Sequence, residues 1–286
     1  MDRTETFTQH RPLLFSIAYR LTGSVMEAED ILQEAFLRWQ NPSDVDVRNP
    51  KAYLSAIVTR LGIDHLRSGQ VQREEYIGPW LPEPLMTEHP PDTAVLAESL
   101  SMAFLVLLES LSPVERAVFL LREVFDYEYE EIARVVEKSE ANCRQLVKRA
   151  KQHLASRRPR FNTSKEQQQQ ITFQFAQACV NGDMNGLLSL LADDIVSYSD
   201  GGGKATAATK PIHGPDRVAR FWLGLARNAP PGFTARFGQA NGQPAIVGYV
   251  NDRLYSLSIL HIADGRIQRI FSVLNPDKLR GVPLIC

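Results

Sequence analysis

The chain has 286 residues, 44% of them hydrophobic and 23% charged, with a formal net charge of -1. That length predicts two domains or three small ones, and the balance excludes a disordered tail or a fibre. No apolar run approaches the roughly 20 residues that span a bilayer. The N-terminus, with acids among its first five residues and no small-residue cleavage site, does not read as a signal peptide, so the expectation is a cytoplasmic protein away from any membrane. Cys143, Cys179 and Cys286 are far apart and form no CxxC pair. Neither a disulfide framework nor a zinc site is expected, and each cysteine reads as a small hydrophobe.

Residues 5–69 predict helix throughout. Leu13, Leu14, Ile17, Ala18 and Leu21, then Ile31, Leu32, Ala35, Phe36 and Trp39, recur at three and four. Gly23-Ser24 and the loop NPSDVDVRNP at 41–50 are the breaks, and a third helix starts near Pro50. Five prolines within 70–95 forbid one continuous helix there, so the stretch reads as a linker. Helices are predicted again over about 96–109, 113–125, 128–136 and 139–154, with Ser112-Pro113 as N-cap and first helical residue.

The polar tract 157–170 marks a second boundary. Beyond it, Ile171, Phe175, Ala178 and Cys179, then Leu187, Leu188, Leu190 and Leu191, predict two helices ending at Asp193-Asp194. The strand IVSYS and a helix over 214–228 follow. From Phe233 the runs FTARFGQ, PAIVGYV, RLYSLSILHI and RIQRIFSVL, separated by NGQ, ND and DG, read as an antiparallel meander. The N-terminal two-thirds is therefore expected to be all helix and the C-terminal third α+β.

Charge is unevenly placed. Residues 97–137 hold nine acidic side chains against three basic ones, whereas 138–160 hold Lys138, Arg144, Lys148, Arg149, Lys151, Arg157, Arg158 and Arg160 against Glu140 alone. Such a segment fits a helix that meets phosphate, or a solvated basic helix end. It overlaps EYEEIARVVEKSEANCRQLVKRAKQHL at 128–154, which has helix-turn-helix spacing. Ile132 and small Ala133 lie in the first helix, Ser139 caps the second, and Leu146 buries it. Arg144, Gln145, Lys148, Arg149 and Lys151 share or border one face able to reach phosphates and base edges in a major groove; a purely structural helical hairpin stays open. Glu137 stands at the turn position that commonly holds glycine, at a cost of about 1 kcal/mol where φ is positive. Cys143 reads as core.

Together with AEDILQEAFLRW at 28–39 and PKAYLSAIVTRLGIDHLRS at 50–68, this motif resembles sigma-70 factors of the extracytoplasmic-function class. The resemblance implies a non-enzymatic subunit that directs bacterial core RNA polymerase to promoter DNA, with region 2 over 1–69, a linker over 70–95 and region 4 over 96–156. It implies docking on the β′ coiled coil, alongside contacts to β, through Asp30, Ile31, Leu32, Gln33 and Glu34, of which Asp30, Gln33 and Glu34 make polar contacts while Ile31 joins Phe36 in the core. It assigns the 50–68 helix and the 41–49 loop to the -10 element, with Arg60, His65 and Arg67 on strand and phosphates, and the helix-turn-helix to the -35 element through Ser139, Arg144, Gln145, Lys148 and Arg149. Thr59-Arg60 stands where many members have Arg-Asn, so individual -10 contacts do not carry over. By itself DILQ is an ordinary amphipathic segment, and His65 reads equally as a half-buried surface histidine.

YIGPWLPEP at 76–84, DGGGK at 200–204 and NPDKL at 275–279 sharpen the resemblance to the subgroup, of sigma factor J type, that carries a fused SnoaL-like domain of the nuclear-transport-factor-2-like superfamily, here 165–286. An α+β cone with a pocket is implied, acting as a regulator in cis, so that no separate anti-sigma protein, cofactor or metal is expected. Trp80 and Leu81 are then a latch against Asp200, Gly201, Gly202, Gly203 and Lys204 and against Asn275, Pro276, Asp277 and Lys278; Trp80 packing on its own domain is the alternative. Three glycines allow tight packing or anion binding through N–H groups, but DGGGK lacks the remaining residues of a nucleotide-binding P-loop. Related cones host polyketide cyclases, for which Asp200, His213 and His261 are the candidate acid-base groups. A ligand-sensing DNA-binding regulator and a cyclase or isomerase are thus the competing readings. The 28–39 and 50–68 segments favour the sigma factor, since a repressor has no use for a polymerase-docking or a melting helix.

Overall fold

The computed structural model describes residues 2–40, 47–86, 94–155 and 163–283. Cys286, Arg157, Arg158, Arg160 and most of the 41–49 loop lie outside the described residues. The chain forms two compact units, Met1–Glu74 with Leu107–Arg158, and Glu75–Val106 with Pro159–Cys286.

The helices run α1 (Arg3–Thr22), α2 (Val25–Gln40), α3 (Pro50–Glu74), α4 (Ala94–Leu100), α5 (Met102–Leu108), α6 (Pro113–Glu123), α7 (Tyr129–Val136) and α8 (Glu140–Ala155). α1 starts on Asp2, whose carboxylate accepts the Thr4 N–H, and stops at Gly23, which takes the left-handed conformation. α3 continues to Glu74, five residues past its expected end, because no proline interrupts the sequence before Pro79. The single helix expected over 96–109 is two: the Ser101 hydroxyl donates to the Glu98 carbonyl and accepts the Phe104 N–H, closing α4 and capping α5. Ser112 and Glu115 form a reciprocal capping box at the start of α6. Between α7 and α8, Glu137 sits at φ 55 and ψ 47, so the turn does impose positive φ on a non-glycine residue. Beneath the turn Ile132, Val135, Cys143, Leu146 and Val147 bury against Val118 and Leu121 of α6.

The second unit adds α9 (Lys165–Asn181), α10 (Met184–Leu190), β1 (Leu191–Asp200), β2 (Ile212–His213), α11 (Pro215–Arg227), β3 (Phe233–Ala240), β4 (Gln243–Val250), β5 (Arg253–Ala263), β6 (Arg266–Val273) and α12 (Pro276–Leu279). Among the described residues the sheet order is β2-β1-β6-β5-β4-β3. β3 to β6 form the expected antiparallel meander. β1, however, joins β6 in parallel, with Ser197 opposite Ile270, so the sheet is mixed rather than antiparallel. Asp193 and Asp194 lie inside β1 rather than closing a helix; there they reach Arg266 and Arg269 of β6 at 3.5 Å each. The two-residue β2 is too short to leave a period in the sequence.

The sheet is apolar on both faces. β5 sends Leu260 and Ile262, and β6 sends Ile267 and Ile270, into a core with Phe175 of α9, Leu187 of α10 and Val218 of α11. Leu257 and Ile259, with Val247, Tyr249, Phe271 and Val273, enter a second core that is completed by Leu81, Met102 and Ala103. Residues 75–106 are therefore a part of this domain's interior as well as a connection: without them that face would expose a broad apolar surface to water.

Candidate nucleic-acid interface and linker dock

α8 buries Cys143, Leu146, Val147, Ala150 and Leu154 and exposes Arg144, Gln145, Lys148, Arg149 and Lys151. Ser139 caps the helix by accepting the Asn142 N–H at 3.3 Å. Arg144 is held by Glu140 at 2.7 Å and lies 4.9 Å from the Tyr129 ring centre, while Lys151 pairs with Glu123 at 2.7 Å. Exposed pairs of this kind contribute about 0.5 kcal/mol, so Arg144 can exchange Glu140 for a phosphate at little cost. Burial raises the Cys143 thiol above its ordinary pKa, which suits a packing role.

On α2, Ile31 and Leu32 are buried whereas Asp30, Gln33 and Glu34 face solvent. Phe36 stacks edge-on against Phe7 of α1 at 5.0 Å. Phe7, Asp30, Leu32, Gln33 and Phe36 line a groove of about 270 Å³, rimmed by the Arg11–Glu29 ion pair at 2.5 Å. A shallow apolar floor with a polar rim suits a partner helix.

The three residues assigned to the -10 element from α3 have different environments. Arg67 is exposed beside Asp64 at 3.3 Å, and His65 Nε2 lies 2.9 Å from Glu27. Arg60 turns onto the helix-turn-helix instead. Its Nε donates to the Val135 carbonyl at 2.9 Å and its Nη2 to the Arg134 carbonyl at 2.7 Å, with Glu137 at 3.6 Å. These carbonyls end α7 without helical partners, so the guanidinium acts as its C-terminal cap. Across the same junction the Tyr127 hydroxyl donates to Ser55 Oγ at 2.7 Å, and buried Arg116 donates to the Leu21 carbonyl at the end of α1, also at 2.7 Å.

In the second unit one carboxylate gathers the linker. Asp200, fully buried, accepts the Tyr76 hydroxyl on Oδ1 at 2.5 Å and, on Oδ2, the Leu81 N–H at 2.9 Å and the Lys278 ammonium at 2.7 Å. Lys278 Nζ also donates to the Leu81 carbonyl at 2.5 Å, lying 4.2 Å from the Trp80 ring centre and 4.9 Å from that of Tyr76. Asn275 caps α12 and donates to the Tyr76 oxygen at 2.9 Å. Burial first, then the Asp200 carboxylate, pushes the Tyr76 phenol well above its ordinary range, which keeps it a donor. Lys204 closes the outer rim on Asp277, whose carboxyl it holds below the usual value.

DGGGK owes its glycines to this dock. A Cβ on Gly202 would lie 2.2 Å from Asn275 Nδ2 and one on Gly203 2.9 Å from Ile77 Cδ1, and both residues have positive φ. Gly201 is buried and Pro276 is the exposed first residue of α12. Tyr76 and Asn241 are contact residues that reading the sequence did not single out. Asn241, at the β3–β4 turn, exchanges hydrogen bonds with Leu85 and donates to the Leu100 carbonyl; its place in a turn disguised it. Of the acid-base candidates, Asp200 has both oxygens committed to the linker, His213 is exposed on β2, and burial beside Arg269 lowers His261 to about 4.

Family models for sigma-70 region 2 and sigma-70 region 4 match residues 6–71 and 101–154. The chain is 36% identical to the extracytoplasmic-function RNA polymerase sigma factor SigJ of Mycobacterium tuberculosis (strain H37Rv), over 98% of this chain and 93% of that protein. It is 30% identical to the probable sigma factor SigI of the same species (strain CDC 1551), over 94% and 92% of the two chains. The crystal structure of SigJ superposes with a TM-score of 0.79 at 33% identity, covering 99% of this chain and 100% of that one. With both sigma regions matched and this similarity running through the C-terminal α+β domain, the chain belongs to the extracytoplasmic-function sigma factors, which direct RNA polymerase to promoters for transcription initiation.

Proposed function

We propose that the C-terminal domain controls this sigma factor in cis, by deciding where residues 75–86 are held. The observation that carries the reading is the convergence of Tyr76, Leu81 and Lys278 on the buried Asp200 carboxylate. Covalent linkage gives such a contact an effective concentration of roughly millimolar, so a modest dock outcompetes free partners without a separate anti-sigma protein. In this reading Asp30, Gln33 and Glu34 meet the polymerase β′ subunit, with region 4 near β. Arg60, His65 and Arg67 serve the -10 element, and Arg144, Gln145, Lys148 and Arg149 the -35 element. The domain works as a docking scaffold rather than a catalyst, since Asp200 spends its lone pairs on the linker, and no cofactor is invoked. Among the described residues no helix is long and apolar enough to cross a membrane.

Promoter-specific transcription in vitro with bacterial core polymerase tests this. Trp80→Ala removes one wall of the Lys278 cage, worth about 1 kcal/mol, and transcript yield is expected to change while the far-UV spectrum does not. A version ending near residue 160 is expected to differ from the full chain in the same direction. Equal yields from all three proteins would refute control in cis.

A further inference from the structure

α11 turns a basic face to solvent. The helix packs on α9, α10 and β1 through Val218, Ala219, Trp222, Leu223 and Ala226. At 100° per residue, Arg217, Arg220 and Arg227 fall within an arc of about 80° on the opposite side, and all three are exposed. Lys204, Arg266, Arg269, Lys278 and Arg280 each pair with an aspartate, whereas among the described residues no ion pair forms on these three, nor on Lys165, Lys210 or Arg253, which are scattered elsewhere in the domain. Arg217 occupies the first turn, where the helix dipole disfavours a cation. Asp216, the one acid of α11, flanks the face. Folding stability therefore gains little from this stripe. Residues 163–283 carry twelve basic side chains against nine acidic, the reverse of the whole chain's balance.

We infer that the α11 arginine face binds the phosphate backbone of duplex DNA. Three guanidinium groups beside a single carboxylate, Asp216, fit a row of phosphates, and they carry no base readout, so the contact adds affinity and not sequence preference. The inference rests on the DNA-binding role of α8 but is separable from it.

The test is fluorescence anisotropy of the full chain with a labelled duplex of about 40 base pairs across 50–200 mM salt, where each phosphate contact contributes close to one unit of slope in log affinity against log salt. Arg217→Ala/Arg220→Ala/Arg227→Ala is expected to bind at least tenfold more weakly at the lowest salt and to lower the slope by about 2–3, with an unchanged melting curve. The triple lysine variant is expected to keep most of the affinity. Lys148→Ala/Arg149→Ala, on α8, reads the other site independently. Should the triple alanine variant lose its fold, Arg217→Ala and Arg220→Ala singly, each lowering the slope by about one, carry the same test. Unchanged duplex affinity and slope would overturn the inference, as would a defect confined to binding core polymerase, which would give the face to a protein partner.

Discussion

The linker dock and the junction between α3 and the helix-turn-helix both join distant segments with charged side chains, and they differ in how much water they keep. At the dock, Asp200 has no exposure and the Lys278 side chain 13%, with two aromatic ring centres at 4.2 and 4.9 Å from the ammonium. At the junction, the Arg60 side chain is 47% exposed and grips two carbonyls that solvent also reaches. A buried pair is costly to break from one side, because the remaining charge is left without water; a half-exposed cap is replaced by water at small cost. The dock thus behaves as a fixed part of its domain and the Arg60 contact as one that can be exchanged, as the role proposed for Arg60 at the -10 element requires.

The comparison breaks first at Asp200. Asp200→Ala strands the ammonium of Lys278, the hydroxyl of Tyr76 and the Leu81 N–H, and is expected to destabilise the full chain by about 3–5 kcal/mol in urea denaturation; a loss under 1 kcal/mol would show that the dock is no stronger than a surface pair.

A pH series separates the sheet from the dock. Burial and Arg269 lower His261 to about 4, from an unfolded value near 6.5. The folded state then binds fewer protons than the unfolded one between these values, so stability is complete above pH 6.5 and falls by up to about 3 kcal/mol as pH drops towards 4. His261→Gln should flatten that part of the curve in equilibrium denaturation, and an unaltered slope would remove His261 as its source.

Gly202→Ala presses a methyl group onto Asn275 Nδ2 at a positive φ, with an expected loss of about 1–3 kcal/mol. Protease cleavage within 75–86 should accelerate in this variant if the glycine loop holds the linker. The smallest effect belongs to the junction: Arg60→Ala should cost about 1 kcal/mol of thermal stability, discounted for solvent, and a loss approaching that of Asp200→Ala would erase the distinction.

Some elements were plain in the residues themselves. Helices with caps announced by Ser112 and Ser139, and the meander punctuated by Asn and Gly, follow from interactions a few residues apart, so local pattern reports them. The parallel pairing of β1 with β6 was not legible, because β-pairing between strands some 70 residues apart leaves no period in either one. Asp193-Asp194 looked like a helix end for the same reason: the arginines they meet are on β6.

The sequence by itself determined the family, through the two sigma regions and the motifs YIGPWLPEP, DGGGK and NPDKL, and it marked Glu137 as a turn residue where glycine is common and α8 as a basic helix. Only the tertiary structure decided that Asp200 faces Tyr76, Leu81 and Lys278 rather than a substrate, that Arg60 caps α7, and that the linker's apolar residues complete the sheet's second core. The physical reason is range: capping, periodicity and charge runs act within a few residues, whereas the partner of a buried carboxylate is whatever residue the completed fold brings to within 3 Å, here from 78 to 124 positions away.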